Sequence, residues 1–202
     1  YPILENLIIN RDIPPTARAE FRTYSDEELK RLNAEIVKMN EQIARLMILH
    51  QMLGTRISDT LTLRTDCLRG QPGDRVVHIR QMKTHAYEKP VSEEIAILIE
   101  RSIQYTKKKW GETEYIFVSD SDPSLPAQYN RIQTQVVQMI REKDLRDDYG
   151  RLFGFGTHMY RHYYGVKLTE MHLDDWTSAR LLGHSSVHNV KYYRKMSNQI
   201  LA

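Results

Sequence analysis

The sequence predicts a mostly α-helical fold with a small antiparallel β-hairpin or three-stranded sheet. Three observations carry this expectation. Ser25-Asp26-Glu27-Glu28 has the form of a capping box, in which the Ser25 hydroxyl accepts a backbone amide and Glu28 follows three residues on. Ile36, Met39, Ile43, Leu46, Met47 and Leu49 recur at helical spacing. Two short β-prone runs, 74–80 and 87–91, lie on either side of Lys83-Thr84-His85, as the arms of a hairpin would.

Taken in order, residues 1–20 include Arg11-Asp12-Ile13-Pro14-Pro15 and show little periodicity. A proline pair favours an extended connector, so 1–20 is expected to be an interdomain linker and 21–202 a folded domain. The capping box predicts a short helix to about Leu32, and the Ile36 stripe a longer one to about Leu53, stopped by Gly54. Arg56 comes just past that stop, before a short helix starting near Ser58. The hairpin places Lys83 near its turn. Ser92-Glu93-Glu94-Ile95 opens a helix to about Lys109, whose basic end (Lys107, Lys108, Lys109) suits the helix dipole. Residues 115–118 are expected to be a strand or an extended piece, 120–126 a loop, and 128–143 an amphipathic helix through Ile132, Val136, Val137 and Ile140. Residues 150–156 read as a loop, and His158 opens the helix after it. Short helices follow, the last carrying Tyr193, with Trp176 and Leu181 expected to pack beneath His184.

A chain of 202 residues suffices for one domain with or without a linker. Hydrophobic residues at 41% and charged residues at 27% exclude a disordered chain. The formal net charge of +3 is mildly basic and does not by itself identify a nucleic-acid partner. Cys67 is the single cysteine, which excludes an internal disulfide framework and fits a reducing compartment. No apolar run approaches the roughly 18–20 residues a membrane-spanning helix needs, so no membrane partner is expected. The chain starts Tyr1-Pro2-Ile3-Leu4, without an initiator Met or a signal-peptide pattern, and is expected to be a piece of a longer protein.

Six chemistry-bearing residues stand in separated local patterns. Arg56 lies in Gly54-Thr55-Arg56-Ile57-Ser58-Asp59, His158 and Arg161 in His158-Met159-Tyr160-Arg161-His162, and His184 closes Leu181-Leu182-Gly183-His184. Lys83 is the hairpin lysine, and Tyr193 follows His184 by nine positions. Together they match the needs of attack on a phosphodiester by a phenolic oxygen while fixed cations hold the phosphate. A free phenol has a pKa of about 10 and needs nearby cations to develop negative charge. A guanidinium fork donates two parallel hydrogen bonds and stays charged at any working pH. Imidazole titrates near neutrality and suits proton transfer. A lysine whose pKa is lowered by surrounding cations can protonate a leaving oxygen. Two alternatives stand beside these residues: Tyr192 for Tyr193, and Lys89 across the same hairpin for Lys83. His158 and His162 also have the i, i+4 spacing of a zinc site. The Glu of a zinc protease is absent between them, however, and Arg161 would set a cation beside the metal. No metal and no cofactor are therefore expected.

These patterns, in this order, resemble the tyrosine recombinase (phage integrase) family over roughly residues 21–202, the family's C-terminal catalytic domain. A lone His-x-x-Arg or Leu-Leu-Gly-His would be weak, whereas their joint occurrence in the family's order is specific. The resemblance implies that fold, and conservative site-specific breakage and rejoining of DNA through a covalent 3′-phosphotyrosine, without metal or ATP. It implies that Tyr193 is the nucleophile, chosen over Tyr192 by its spacing from Leu-Leu-Gly-His. Arg56, Arg161 and His184 would hold the phosphate, and His158 would accept the tyrosine proton. Met82-Lys83-Thr84 ahead of Pro90-Val91 looks like the family's lysine hairpin, which favours Lys83 as general acid. His162 and Asp59 would support the site from behind; the family has Glu or Asp at Asp59's position. Related proteins act on double-stranded DNA as four protomers on paired sites, so a homotetramer on DNA and a monomer in solution are expected. The family's N-terminal DNA-gripping domain is expected to be missing from this chain. A bacterial, cytoplasmic, nucleoid-associated setting follows, and divergence at the lysine hairpin points to a mobile element. The alternatives are a type IB topoisomerase-like enzyme and a DNA-binding module that has lost catalysis.

Overall fold

A computed structural model describes residues 24–80 and 86–156, together with Thr177, Arg180 and Leu181. The expected linker, 1–20, lies outside the described residues. Helix α1 (Asp26–Ile36) begins with the anticipated capping box: the Ser25 hydroxyl accepts the Glu28 amide, and the Glu28 carboxylate accepts the Ser25 amide. The helix runs one turn further than the sequence suggests. Ile36 and Met39 therefore belong to its end and to the corner that follows, not to the second helix. That helix, α2 (Glu41–Leu53), starts later because Asn40 caps it, its side chain accepting the amides of Gln42 and Ile43.

Helix α2 is the centre of the core, with every residue from Ala44 to Leu53 buried. The polar side chains within it are satisfied internally. Gln51 and Asn33 of α1 exchange two amide hydrogen bonds, at 2.6 and 2.9 Å, so neither pays the penalty of an unpaired buried amide. Gly54 ends α2 in the left-handed region (φ 62°), with its amide donating to the His50 carbonyl. A short helix, α3 (Ile57–Leu61), follows.

Strands β1 (Leu68–Arg69), β2 (Arg75–Ile79) and β3 (Tyr87–Val91) form an antiparallel sheet in that order. The expected hairpin is β2–β3, in register Val77 opposite Lys89 and Ile79 opposite Tyr87. Val77 and Ile79 alternate into the core. The β1–β2 turn depends on Gly70 (φ 91°), where an added Cβ would lie 2.2 Å from the Asp74 carbonyl oxygen. Helix α4 (Glu93–Trp110), capped by the Ser92 hydroxyl, packs on α2, and α5 (Tyr129–Glu142) follows. Residues 115–118 do not form a strand. Tyr115 and Val118 make single bridges to Arg64 and Pro126, so the segment is extended and loop-like. Leu181 is fully buried in the common core, while Trp176, and His184 beneath which the two were expected to pack, lie outside the described residues.

Two acidic groups are held neutral by this fold. Burial, with a smaller contribution from the Asp66 charge, pushes the Cys67 thiol up to about 12. Burial also raises the Tyr24 phenol, whose hydroxyl donates to the Gly154 carbonyl. A raised pKa in the folded state means the unfolded chain releases its proton first. The stabilisation is thus complete below the unfolded thiol value of about 8.5 and is lost as pH climbs towards 12. The urea midpoint should fall across that window, and Cys67→Ala should flatten the fall. An unchanged slope in Cys67→Ala would assign the alkaline loss to other groups.

Candidate active site

Arg56 is delivered by a turn that the chain builds from both sides. Leu53 ends α2 inside the core, Gly54 reverses the backbone, and Thr55 is buried. Arg56 then takes an extended conformation (φ −65°, ψ 149°) at the cap position of α3. Beneath it lies a buried polar cluster. Thr60 Oγ1 is 2.6 Å from Thr55 Oγ1 and 2.9 Å from His50 Nδ1, and it faces the Arg56 carbonyl at 3.4 Å. One hydroxyl hydrogen allows one donation, so Thr60 donates to Arg56 and accepts from Thr55 and His50 if His50 carries its proton on Nδ1. The Asp59 and Thr60 amides donate to the same Arg56 carbonyl, at 3.0 and 3.1 Å. The backbone of Arg56 is therefore pinned while its side chain is exposed, and its guanidinium forms no ion pair with another described residue. Asp59 sits buried in the first turn of α3, where a carboxylate meets the positive end of the helix dipole.

Position 56 is a poor choice for the helix. Cap positions favour Ser, Thr, Asp or Asn, whose side chains accept an orphan amide, and Arg56 makes no such bond. An exposed guanidinium thus stands where a capping oxygen would stabilise the helix.

Lys83 lies outside the described residues, between β2 and β3. The alternative lysine of the same hairpin, Lys89, is half-buried and donates to the Leu53 carbonyl at 3.0 Å. His158, Arg161, His162, His184, Tyr193 and the alternative Tyr192 also lie outside the described residues.

The segments leading to two of these motifs are nonetheless anchored. Ahead of His158, the Asp148 carboxylate accepts from Ser25 Oγ at 2.6 Å and from Arg31 at 2.9 Å, its amide donates to Glu28 at 3.2 Å, and the Tyr24 ring meets Phe153 edge-on. Ahead of His184, Arg180 donates to the Val37 and Met39 carbonyls, and the Leu181 carbonyl accepts from Arg45 Nε at 3.2 Å. Arg45 is buried, which pulls its pKa down, and the Glu41 carboxylate at 2.7 Å offsets only part of that shift. Arg45→Met should cost about 1–3 kcal/mol in urea unfolding, because a buried carbonyl loses its donor, whereas Glu41→Gln at the half-exposed partner should cost less. Equal costs would place the weight of the contact on the ion pair instead.

His50, Thr55, Thr60, Lys89 and Arg45 were not singled out as site supports from the sequence. The available signal was polarity out of place: Arg45 and His50 interrupt the apolar run of α2, which amphipathic packing alone does not explain. Lys107 and Lys109 pair with Glu112 and Asp120, both at the surface. The exposed face of α5 is different: Asn130, Arg131, Thr134, Gln135, Gln138 and Arg141 carry amides, a hydroxyl and guanidiniums, with no carboxylate in the helix before Glu142. Among the described residues no group of three or more His, Cys, Asp or Glu side chains is placed to hold a metal.

The profile of the phage integrase family matches residues 22–199. The chain is 27% identical over 197 residues to transposase B from transposon Tn554 of Staphylococcus aureus, a match covering 96% of this chain and 31% of the transposase. It is 26% identical over the same length to transposase B from transposon PsiTn554 of Staphylococcus aureus. The chain thus spans about a third of the length of these relatives. Among solved structures, the fold is similar to the Tn1549 transposon integrase in complex with transposon right end DNA (TM-score 0.55, 14% identity, 100% of this chain and 75% of that one). It is also similar to XerA recombinase (TM-score 0.53, 18% identity, 98% and 71%).

Proposed function

The chain belongs to the phage integrase family, and from that premise we propose that it is the DNA-cleaving and rejoining domain of a site-specific tyrosine recombinase. Tyr193 attacks the scissile phosphorus. A bond from its phenolic oxygen to phosphorus forms as the bond to the 5′ oxygen breaks, leaving a 3′-phosphotyrosine and a free 5′ hydroxyl. His158 takes the phenolic proton, and Lys83 supplies one to the departing oxygen. Arg56, Arg161 and His184 donate to the non-bridging oxygens, where charge grows in the transition state. His162 and Asp59 brace these groups. The phosphotyrosine keeps the energy of the broken bond, so a 5′ hydroxyl from another strand reverses the step without ATP.

The observation that carries this reading is Arg56: a pinned backbone, an exposed guanidinium, and a cap position that it cannot fill. The partner is double-stranded DNA. The exposed face of α5 ahead of Glu142, whose carboxylate accepts from Gln138, supports it, since guanidinium and carboxamide groups are side chains that match base edges and phosphates. We read 1–20 as the linker to a separate DNA-gripping domain and 21–202 as the catalytic domain, monomeric in solution and tetrameric on paired sites. Similarity to transposon-borne transposases supports mobile-element transposition, carried out on DNA in the bacterial cytoplasm and nucleoid. The isolated domain should bind DNA weakly and with steep salt dependence.

The test uses the full-length protein on a nicked, trapping duplex made from the parent element's ends, with metal chelated. An SDS-stable, protease-sensitive adduct is expected. Binding without an adduct would overturn the reading in favour of a non-catalytic module. Relaxation of supercoils without paired sites would favour a topoisomerase.

A further inference from the structure

We propose that Lys89 is a positioning residue for Arg56, setting the α2–α3 turn against the hairpin that carries Lys83. This rests on the catalytic reading of Arg56 given above. The last four carbonyls of any helix lack partners within it. In α2 the His50 carbonyl is met by the Gly54 amide, and the Leu53 carbonyl by the Lys89 ammonium at 3.0 Å. A cation at a helix C-terminus is favourable, and a charged donor makes the stronger kind of hydrogen bond.

Both ends of this link sit on elements packed into the core. The Leu53 side chain is fully buried, and Lys89 stands opposite Val77, itself fully buried. A lysine on an outer strand normally extends into water, where it keeps the edge from pairing. Lys89 instead turns back, half-buried, with its ammonium 5.9 Å from the Tyr87 ring centroid. From Leu53 the chain reaches Arg56 in three residues, through left-handed Gly54 and buried Thr55. A shift of the Leu53 carbonyl is therefore passed to the Arg56 backbone with little to absorb it. The lysine ties the turn bearing one phosphate-holding group to the strand pair bearing the proton donor.

The test measures adduct formation by the full-length protein at saturating concentration on the nicked duplex. Lys89→Met and Lys89→Gln are each compared in the Arg56 and Arg56→Lys backgrounds. Lys89→Met should slow cleavage about tenfold to a hundredfold, the scale of a misplacement of about an ångström. DNA affinity should stay within a few-fold. Lys89→Gln, which keeps a neutral donor, should fall between, and it stands in if Lys89→Met does not fold. In the Arg56→Lys background either substitution should add less than about twofold, because the interaction it serves is already broken. A duplex with sulfur at the bridging 5′ position should not rescue the variants, since a thiolate leaves without a proton and only a proton donor's loss is bypassed. Equal losses in both Arg56 backgrounds, rescue by sulfur, or undiminished cleavage by both variants would each overturn the proposal. An unsubstituted protein that forms no adduct on either duplex would overturn the recombinase reading itself.

Discussion

Tyr193→Phe should abolish the covalent adduct while leaving DNA affinity within a few-fold. The substitution removes one oxygen and nothing else of the ring's shape. Without that oxygen no bond to phosphorus can form, so the expected loss is complete and not graded. Binding depends on the cations and the DNA-facing surface, which the substitution leaves in place. Nitrocellulose binding and denaturing gels on the same samples separate the two quantities. An adduct that persists in Tyr193→Phe would move the nucleophile to Tyr192 or to another tyrosine and break the present assignment. A parallel loss of binding would show that the hydroxyl serves the fold.

Arg56→Ser should lower the cleavage rate by about a thousandfold while leaving the protein as stable as before or more so. Loss of a single fixed donor at a developing oxyanion costs about 10²–10³ in rate, and loss of a phosphate-clamping arginine about 10³–10⁵. The stability side comes from the fold. Arg56 is exposed and makes no capping bond, whereas a serine hydroxyl at the same extended cap position can accept an amide of α3. The gain is expected to be about 0.5–1 kcal/mol, read as a higher urea midpoint. Arg56→Lys keeps the charge but not the two-pronged geometry, and should retain only a small part of the rate. A large loss of stability in Arg56→Ser would show that the guanidinium holds the fold together, and would remove the strongest structural support for the recombinase reading.

The legible parts of the fold were those governed by local rules. Ser25 and Glu28 cap α1 because the partners lie three residues apart, and Gly54 ends α2 because a left-handed residue costs glycine nothing. The β2–β3 arms were visible as two β-prone runs. The α1–α2 boundary was missed because Ile36 and Met39 continue the apolar rhythm of Ile43 and Leu46, and periodicity does not register a corner made by an Asn40 cap. Residues 115–118 were apolar enough for a strand, but their neighbours offer only single bridges, so no ladder forms. The motif residues could be recognised because each stands in a short pattern whose order along the chain is informative.

What the sequence by itself determined is therefore the helical class, the hairpin, and the identity of the groups proposed to act on a phosphate. The tertiary structure alone decided how Arg56 and the described segments ahead of His158 and His184 are held. Leu53 and Lys89 are 36 residues apart and Arg45 and Leu181 are 136 apart, yet each pair is joined by a hydrogen bond. Capping and amphipathic rules act over one or two helical turns and carry no information at those separations. A buried carbonyl or guanidinium must find a partner wherever packing has excluded water, and which partner it meets depends on how the elements come together.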